Sequence, residues 1–379
     1  MTKLINSTYE IIKCYRTQDE GEFMSKEIIT NWINQFNEED REFILSELIH
    51  ILKQRYITKN QFKEYLKKVF FEDIRELIPE EFGQMDMKEI LKRIYFIDNQ
   101  PAGKSQKAVI RIIEELIQEK LGLTLADCGK KDPLCYVYLD DVLCTGDTIF
   151  KGIEKEGWLN KNNIINPKKT NRDVLIEKKR PIFISLYSAH LLNAQKLHRR
   201  MDNENEDNKD LTITIFCHDN YGIDNRYDSN SKLQFIFPLE DEQDELITGC
   251  KKQIEDKVYA YCKGNNYKIP TGHFYRSSST PKNETFFSSA ENRNRFEKII
   301  LRKSIEIYNK ANLENLRMKP LGYGLYTDKS FGYGTLVFTW RNVPLNTPLV
   351  FWYEHNGWNP LFKRHWSSYK KTLILRKCD

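Results

Sequence analysis

Asp140 and Asp141 are adjacent acids, preceded by Tyr136-Val137-Tyr138-Leu139 and followed, after Val142-Leu143, by Cys144-Thr145-Gly146-Asp147-Thr148. The four apolar or aromatic residues form a short run without helical period, which predicts a buried strand with the two acids at its carboxyl end. Thr148 opens a helical pattern through Ile149, Phe150 and Ile153. Ligands of open α/β sheets sit at the carboxyl ends of strands, and a helix amino terminus offers amides to an anion. Two carboxylates set just before a phosphate cradle suit a ligand with both a diol and a phosphate, such as a ribose 5-phosphate. Adjacent acids alone would be read as a cap or a solvated loop. The ordered run of strand, Asp-Asp, Thr-Gly-x-Thr and helix is much rarer.

A second loop, Asp98-Asn99-Gln100-Pro101-Ala102-Gly103-Lys104-Ser105-Gln106, follows the strand candidate Tyr95-Phe96-Ile97. Gly103-Lys104-Ser105 has the ending of a Walker A loop, but that motif needs glycine where this chain has Asp98. Phosphate binding is compatible with the loop; ATP hydrolysis is not expected. Amides near Gly103, the Lys104 ammonium and the Ser105 hydroxyl can meet an anion, or Ser105 can serve as an ordinary helix cap.

The elements that must position these residues follow from periodicity. Residues from about 8 to 93 read as helical, with stripes at Ile28, Ile29, Trp32, Ile33 and Phe36 and at Ile44, Leu45, Leu48, Ile49 and Leu52. His50 stands among apolar residues and reads as a core or boundary histidine. An amphipathic helix is expected over 109–121, strands over 181–186, 211–216 and 233–237, a helix over 191–201, and a surface loop over 202–210. Strands alternating with helices argue for an α/β fold with a mostly parallel sheet. Helices are expected over 246–261 and 296–310, and strands over 335–340 and 348–352. Three domains result: 1–93 helical, 94–240 the α/β core, and 241–379 a helical and β extension.

The 136–148 segment resembles the phosphoribosyl-pyrophosphate (PRPP) signature of type I phosphoribosyltransferases. The resemblance implies that Asp140 and Asp141 are the catalytic acids, holding the ribose hydroxyls with Mg²⁺ close by, directly or through water. It implies that Leu143, Cys144, Thr145, Gly146, Asp147 and Thr148 wrap the 5-phosphate. It also implies that the loop carrying Gly103, Lys104 and Ser105 meets pyrophosphate. The tail adds Pro320-Leu321-Gly322-Tyr323-Gly324, Asn342-x-Pro344-x-Asn346-Thr347-Pro348, Trp358-Asn359-Pro360-Leu361-Phe362 and Arg364. With Trp32-Ile33-Asn34-Gln35-Phe36 upstream, this order is similar to phosphoribosyltransferase-like proteins of bacterial conflict systems, some encoded beside retron reverse transcriptases. That resemblance implies an anti-phage effector binding PRPP or a nucleotide, with a reverse transcriptase, its RNA–DNA product or another defence protein as partner. Read physically, most of the tail is structural: turns between strands and aromatic residues to be buried.

The chain departs from the salvage enzymes at three points. Only about fifteen residues, 122–136, stand where many members carry a mobile covering loop. Cys144 takes the place of the acid that partners a purine, and Asp147 adds negative charge to a phosphate turn. His218, Asp219, Tyr221, His273 and Arg276 fall in loops without mechanistic spacing. Two function classes therefore stand side by side: a Mg²⁺-dependent enzyme acting at ribose C1, and a module that senses PRPP or a nucleotide without turnover and docks through its helical end.

Bulk composition narrows little else. The sequence has 379 residues, 40% hydrophobic and 30% charged, with net charge +5, as for an ordinary globular protein. Eight cysteines without a Cys-x-x-Cys pair indicate neither zinc nor a disulfide framework. No apolar run is long enough to span a membrane, and Met1 to Ser7 lacks a signal-peptide stretch, so a cytoplasmic protein is expected. The short basic clusters, such as Arg199-Arg200, read as solvated surface, and no nucleic-acid reader motif is present.

Overall fold

In the computed structural model, residues 1–17, 23–155, 157–202, 210–228, 230–311, 315–355 and 357–364 are described. The chain forms two compact units, one from Met1–Lys59 with Asp224–Asp379 and the other from Asn60–Ile223. This division differs from the expected boundaries at 93 and 240. The first helices carry an apolar face that is covered by residues far along the sequence, so the chain's two end segments share one core.

In chain order, α1 (Thr2–Ile12), α2 (Lys26–Ile33), α3 (Arg41–Arg55) and the short β1 (Tyr56–Ile57) come first. The second unit contains α4 (Lys59–Lys67, counted from its second residue), α5 (Met87–Lys92), β2 (Ile94–Phe96), α6 (Ser105–Leu121), β3 (Cys135–Leu143) and α7 (Asp147–Phe150). It continues with α8 (Asn171–Lys178), β4 (Ile182–His190), α9 (Leu191–Asp202), β5 (Ile213–Cys217) and β6 (Gly222–Ile223). The chain then returns to the first unit with α10 (Glu245–Gly264), α11 (Ala290–Lys310), β7 (Phe338–Thr339) and α12 (Leu349–Trp352). The loop expected over 202–210 lies largely outside the described residues.

The second unit is an α/β layer structure with a parallel sheet in the order β2-β3-β4-β5, β6 pairing with the end of β4. One sheet face presents Tyr136, Tyr138, Ile182, Ile184 and Leu186 to Ile149, Ile153, Trp158, Leu159, Leu175 and Leu197. On the other face, Tyr65 of α4 hydrogen-bonds Ser185 at 2.8 Å and Phe62 stacks on Tyr187. Lys63 reaches Glu115 and Glu119 of α6, which sets α6 beside α4 on that face. The connection leaving β2 therefore runs over one face, and those leaving β3 and β4 run over the other. The carboxyl ends of β2 and β3 thus flank a topological switch point, where open α/β sheets form their ligand crevice.

In the first unit the two ends of the sequence interlock. Trp32 donates its indole N–H to the Val350 carbonyl at 3.0 Å, and Gln35 exchanges hydrogen bonds with both the N–H and the C=O of Asn359. Tyr56 and Ile57 pair in parallel with Phe338 and Thr339. The tail motifs are largely buried, and Arg364 stacks over Trp352. Three expected strands are corrected. Residues 233–237 are paired in no sheet, and Leu233 begins the segment with a left-handed φ of 41°. Their backbone is taken by side chains of α11: Arg293 donates to the Leu233 and Phe235 carbonyls, and Glu297 accepts from the Phe237 N–H. Leu349–Trp352 form helix α12 instead, with Pro348 as its N-cap. Only Phe338 and Thr339 of the 335–340 run are in a strand.

Candidate functional site

The strand carrying the two acids is longer than its apolar run. β3 continues through Asp140 and Asp141 to Leu143, with Val142 opposite Ser188 and Leu143 opposite Ala189. Successive strand side chains alternate between faces, so the two acids separate. Asp140 is on the face of Tyr138 and is 6% exposed. Asp141 is half-buried, and its carboxylate accepts the Val142 N–H at 2.7 Å.

Asp140 is the hub of the site. Its Oδ1 accepts from the Ser105 hydroxyl at 2.6 Å and the Asp141 N–H at 2.9 Å, while Oδ2 accepts from the Gln100 amide at 3.0 Å. Gln100 also donates to the Tyr138 hydroxyl. Burial, with the charge of Asp141 second, pushes the Asp140 carboxyl up to about 7 against the pull of its three hydrogen bonds. An acid so placed is half-protonated near neutral pH.

The loop that delivers Gln100 and Ser105 is braced from within. Gln106 is fully buried; its Oε1 accepts the Asn99 and Gln100 amides, and its Nε2 donates to the Ile97 carbonyl at 3.1 Å. Asn99 donates to the Gly152 carbonyl at 2.6 Å, and Lys107 pairs with Asp98 at 2.5 Å. Pro101 to Lys104 remain exposed, and Gly103 has a left-handed φ of 83°. Ser105 is the first residue of α6, yet its hydroxyl goes to Asp140 rather than capping the helix. The exposed Gly103 and Lys104 are thus separated from Ser105, which is committed inward.

The 144–148 turn is held differently. Gly146 has φ 76°, and a Cβ there would stand 3.3 Å from Leu197 of α9, so glycine suits both the backbone and the space. Asn193 of α9 donates to the Cys144 carbonyl at 2.5 Å. Thr145 accepts the Asp147 N–H through its hydroxyl at 3.3 Å, and Thr148 is exposed. Asp147 faces Arg200 at 3.4 Å, with the guanidinium 3.9 Å above the Phe150 ring, so its added negative charge is offset locally.

The structure therefore brings Asp140, Asp141, Ser105 and the 144–148 turn to the ends of β2 and β3. The residues missed in the sequence are Gln100, Gln106, Tyr138 and Asn193. The one available signal was polar side chains lodged beside apolar runs. The histidine and arginine candidates go elsewhere. His218 stacks on Tyr187 beside Tyr65 and Tyr221, and burial lowers its pKa. His273 stacks on Tyr227 and Arg276 bonds Glu297, both within the first unit.

Among the described residues no group of three or more His, Cys, Asp or Glu side chains is disposed to cage a metal. Mg²⁺ needs no such cage, because it retains waters and takes one or two carboxylates together with ligand phosphates. The half-buried Asp141, with Asp140 on the same strand, fits that donor chemistry. No helix among the described residues is long and apolar enough to cross a membrane. Comparison with curated proteins and with solved structures finds no match. A family model described as PRTase-CE matches residues 29–364.

Proposed function

Because the chain belongs to the PRTase-CE family and is phosphoribosyltransferase-like, we propose that it binds PRPP or a ribose-phosphate nucleotide at the carboxyl ends of β2 and β3. The observation that carries this reading is the meeting of the Asp140–Asp141 pair, the 144–148 turn and the 98–106 loop at the switch point of the sheet. Asp141 would meet the ribose hydroxyls and a Mg²⁺ ion, with Asp140 fixing the strand and loop behind it. Bound there, Mg²⁺ supplies charge neutralisation for the pyrophosphate. The turn amides with Thr145 and Thr148 would hold the 5-phosphate, and Gly103 with Lys104 the pyrophosphate. The reaction class is transfer or cleavage at ribose C1, where positive charge grows as pyrophosphate departs and nearby carboxylates favour it.

One observation favours sensing without turnover. The segment in the covering-loop position is pinned: Gly129 N–H bonds the Lys92 carbonyl at 2.8 Å, Leu134 N–H bonds the Arg93 carbonyl at 2.7 Å, and Thr124 and Asp127 form a capping box. The order of the Trp32–Phe36 patch, signature and tail supports a setting in bacterial anti-phage defence. A protein partner would have to meet surface other than Trp32, Ile33 and Phe36, which are buried.

Calorimetric titration of PRPP with Mg²⁺ into wild type and Asp141→Asn tests the site. Saturable binding to wild type, at least tenfold weaker in the variant, is the expected result. No heat from a folded wild type would sink the proposal. Pyrophosphate release in the same mixture separates the enzyme from the sensor.

A further inference from the structure

α9 has two working faces. Asn193, Leu197 and Arg200, at i, i+4 and i+7, form the stripe that meets the 144–148 turn, through the Cys144 carbonyl, Gly146 and Asp147. Ala194, Gln195, His198 and Arg199, at i, i+1, i+4 and i+5, form another stripe, which lines a cavity of about 450 Å³ against β5. That volume is in the range of small-molecule sites. The cavity is distinct from the signature crevice, because none of its lining residues comes from the 98–106 loop or from 140–148.

Its lining has two chemistries. Ala189, Leu191, Ala194, Ile215 and Cys217 supply an apolar floor. Among the described lining residues the polar groups are the Gln195 amide, the His198 imidazole and the exposed Arg199 guanidinium, and none is a carboxylate. An apolar floor with a guanidinium at the rim suits a flat ring that carries an anionic group, the ring packing on the floor and the anion taking a two-point bond from arginine.

We propose that this cavity is a second ligand site, taking a planar aromatic group that bears a phosphate, carboxylate or similar anion, and that α9 transmits its occupancy to the signature turn. The transmission is mechanical. Ligand drawn against Ala194 and Arg199 loads the same two helical turns from which Asn193, Leu197 and Arg200 hold the phosphate turn. A helix is stiff, so tightening one face restrains the other.

The probe is 1-anilinonaphthalene-8-sulfonate, an aromatic anion without a ribose, titrated into the full chain by fluorescence. One saturable equivalent is expected, weakened at least fivefold by Arg199→Ala and abolished by Ala194→Trp, which fills the cavity. Circular dichroism of each variant checks folding, and Arg199→Ala carries the test alone if the tryptophan variant misfolds. Hydrogen exchange at amides 144–150 is expected to slow several-fold when the dye saturates wild type. Absent binding, or equal binding to wild type and Arg199→Ala, would overturn the site. Binding with unchanged exchange in the turn would overturn the transmission.

Discussion

The 98–106 loop and the 144–148 turn stand side by side at the same sheet edge and are built on opposite principles. The loop is tied by its own side chains: Gln106 gathers two amides and a carbonyl, Gln100 and Ser105 fasten onto Asp140, and Asn99 reaches Gly152. The turn takes its shape from a left-handed glycine, and α9 holds it from outside through Asn193 and Arg200. A loop braced from within keeps its geometry whatever surrounds it. A turn held by a neighbouring helix follows that helix. The first is suited to presenting a fixed surface, the second to being adjusted.

Substitutions should separate the two. The largest effect is expected from Gln106→Leu, which strands three backbone groups, two of them buried, and should cost about 2–5 kcal/mol in urea unfolding, at about 1–2 kcal/mol per buried group and less for the third. A cost below about 1 kcal/mol would mean that the loop is not held from within. Next is Asp140→Asn, where the sign depends on pH. The folded carboxyl titrates near 7, above its ordinary 3.8. Its contribution to stability is therefore fully present below about pH 4 and lost as pH rises through 7. Neutral asparagine should make the protein about 2–4 kcal/mol more stable than wild type at pH 8 and flatten the profile between pH 4 and 7. Urea midpoints across that range check this; an unchanged slope would show that Asp140 is not the titrating group. The same variant should lose PRPP binding, so stability and function would move in opposite directions.

Gly146→Ala comes third. The strain of a positive φ and the tight approach to Leu197 should cost about 1–2 kcal/mol, with slower exchange protection lost at amides 145–148 while those of 98–100 stay protected. Loss of protection in both segments would erase the distinction between them. Arg200→Ala should be smallest, under about 1 kcal/mol, since its ion pair is partly exposed. A larger effect would show that the helix holds the turn by charge rather than by packing.

The parts of this site that were legible in the sequence are those with a strong local pattern. The strand before Asp140, the helix after the second loop and the Thr-Gly-Asp-Thr turn each follow from periodicity or from glycine. The bracing was not legible, because glutamine and asparagine carry no periodic signal and their partners are remote. Gln106 reads as an ordinary helix residue until its three backbone partners are seen. The strand's length was missed for a related reason: two acids look like a boundary, yet Asp140 is buried because Ser105 and Gln100 receive it. In the other unit, 233–237 has the composition of a strand, but buried Arg293 and Glu297 satisfy its backbone where a neighbouring strand would have done so. Side chains distant in sequence decided both cases.

The sharing of one core by residues 1–59 and 224–379 bears on how the protein is born. On the ribosome, the segment 60–223 emerges with all its own sheet partners and can fold as soon as it clears the exit. The first 59 residues must wait. The Val350 carbonyl that receives Trp32 and the Asn359 backbone that receives Gln35 are translated some three hundred residues later, a delay of roughly 15–60 s at about 5–20 residues per second. Throughout that interval Trp32 and Phe36 lack the cover that Phe351 and Trp358 supply, and only α1 and α3 shield α2, so the nascent chain offers a half-covered apolar helix to chaperones until its last segment closes over it.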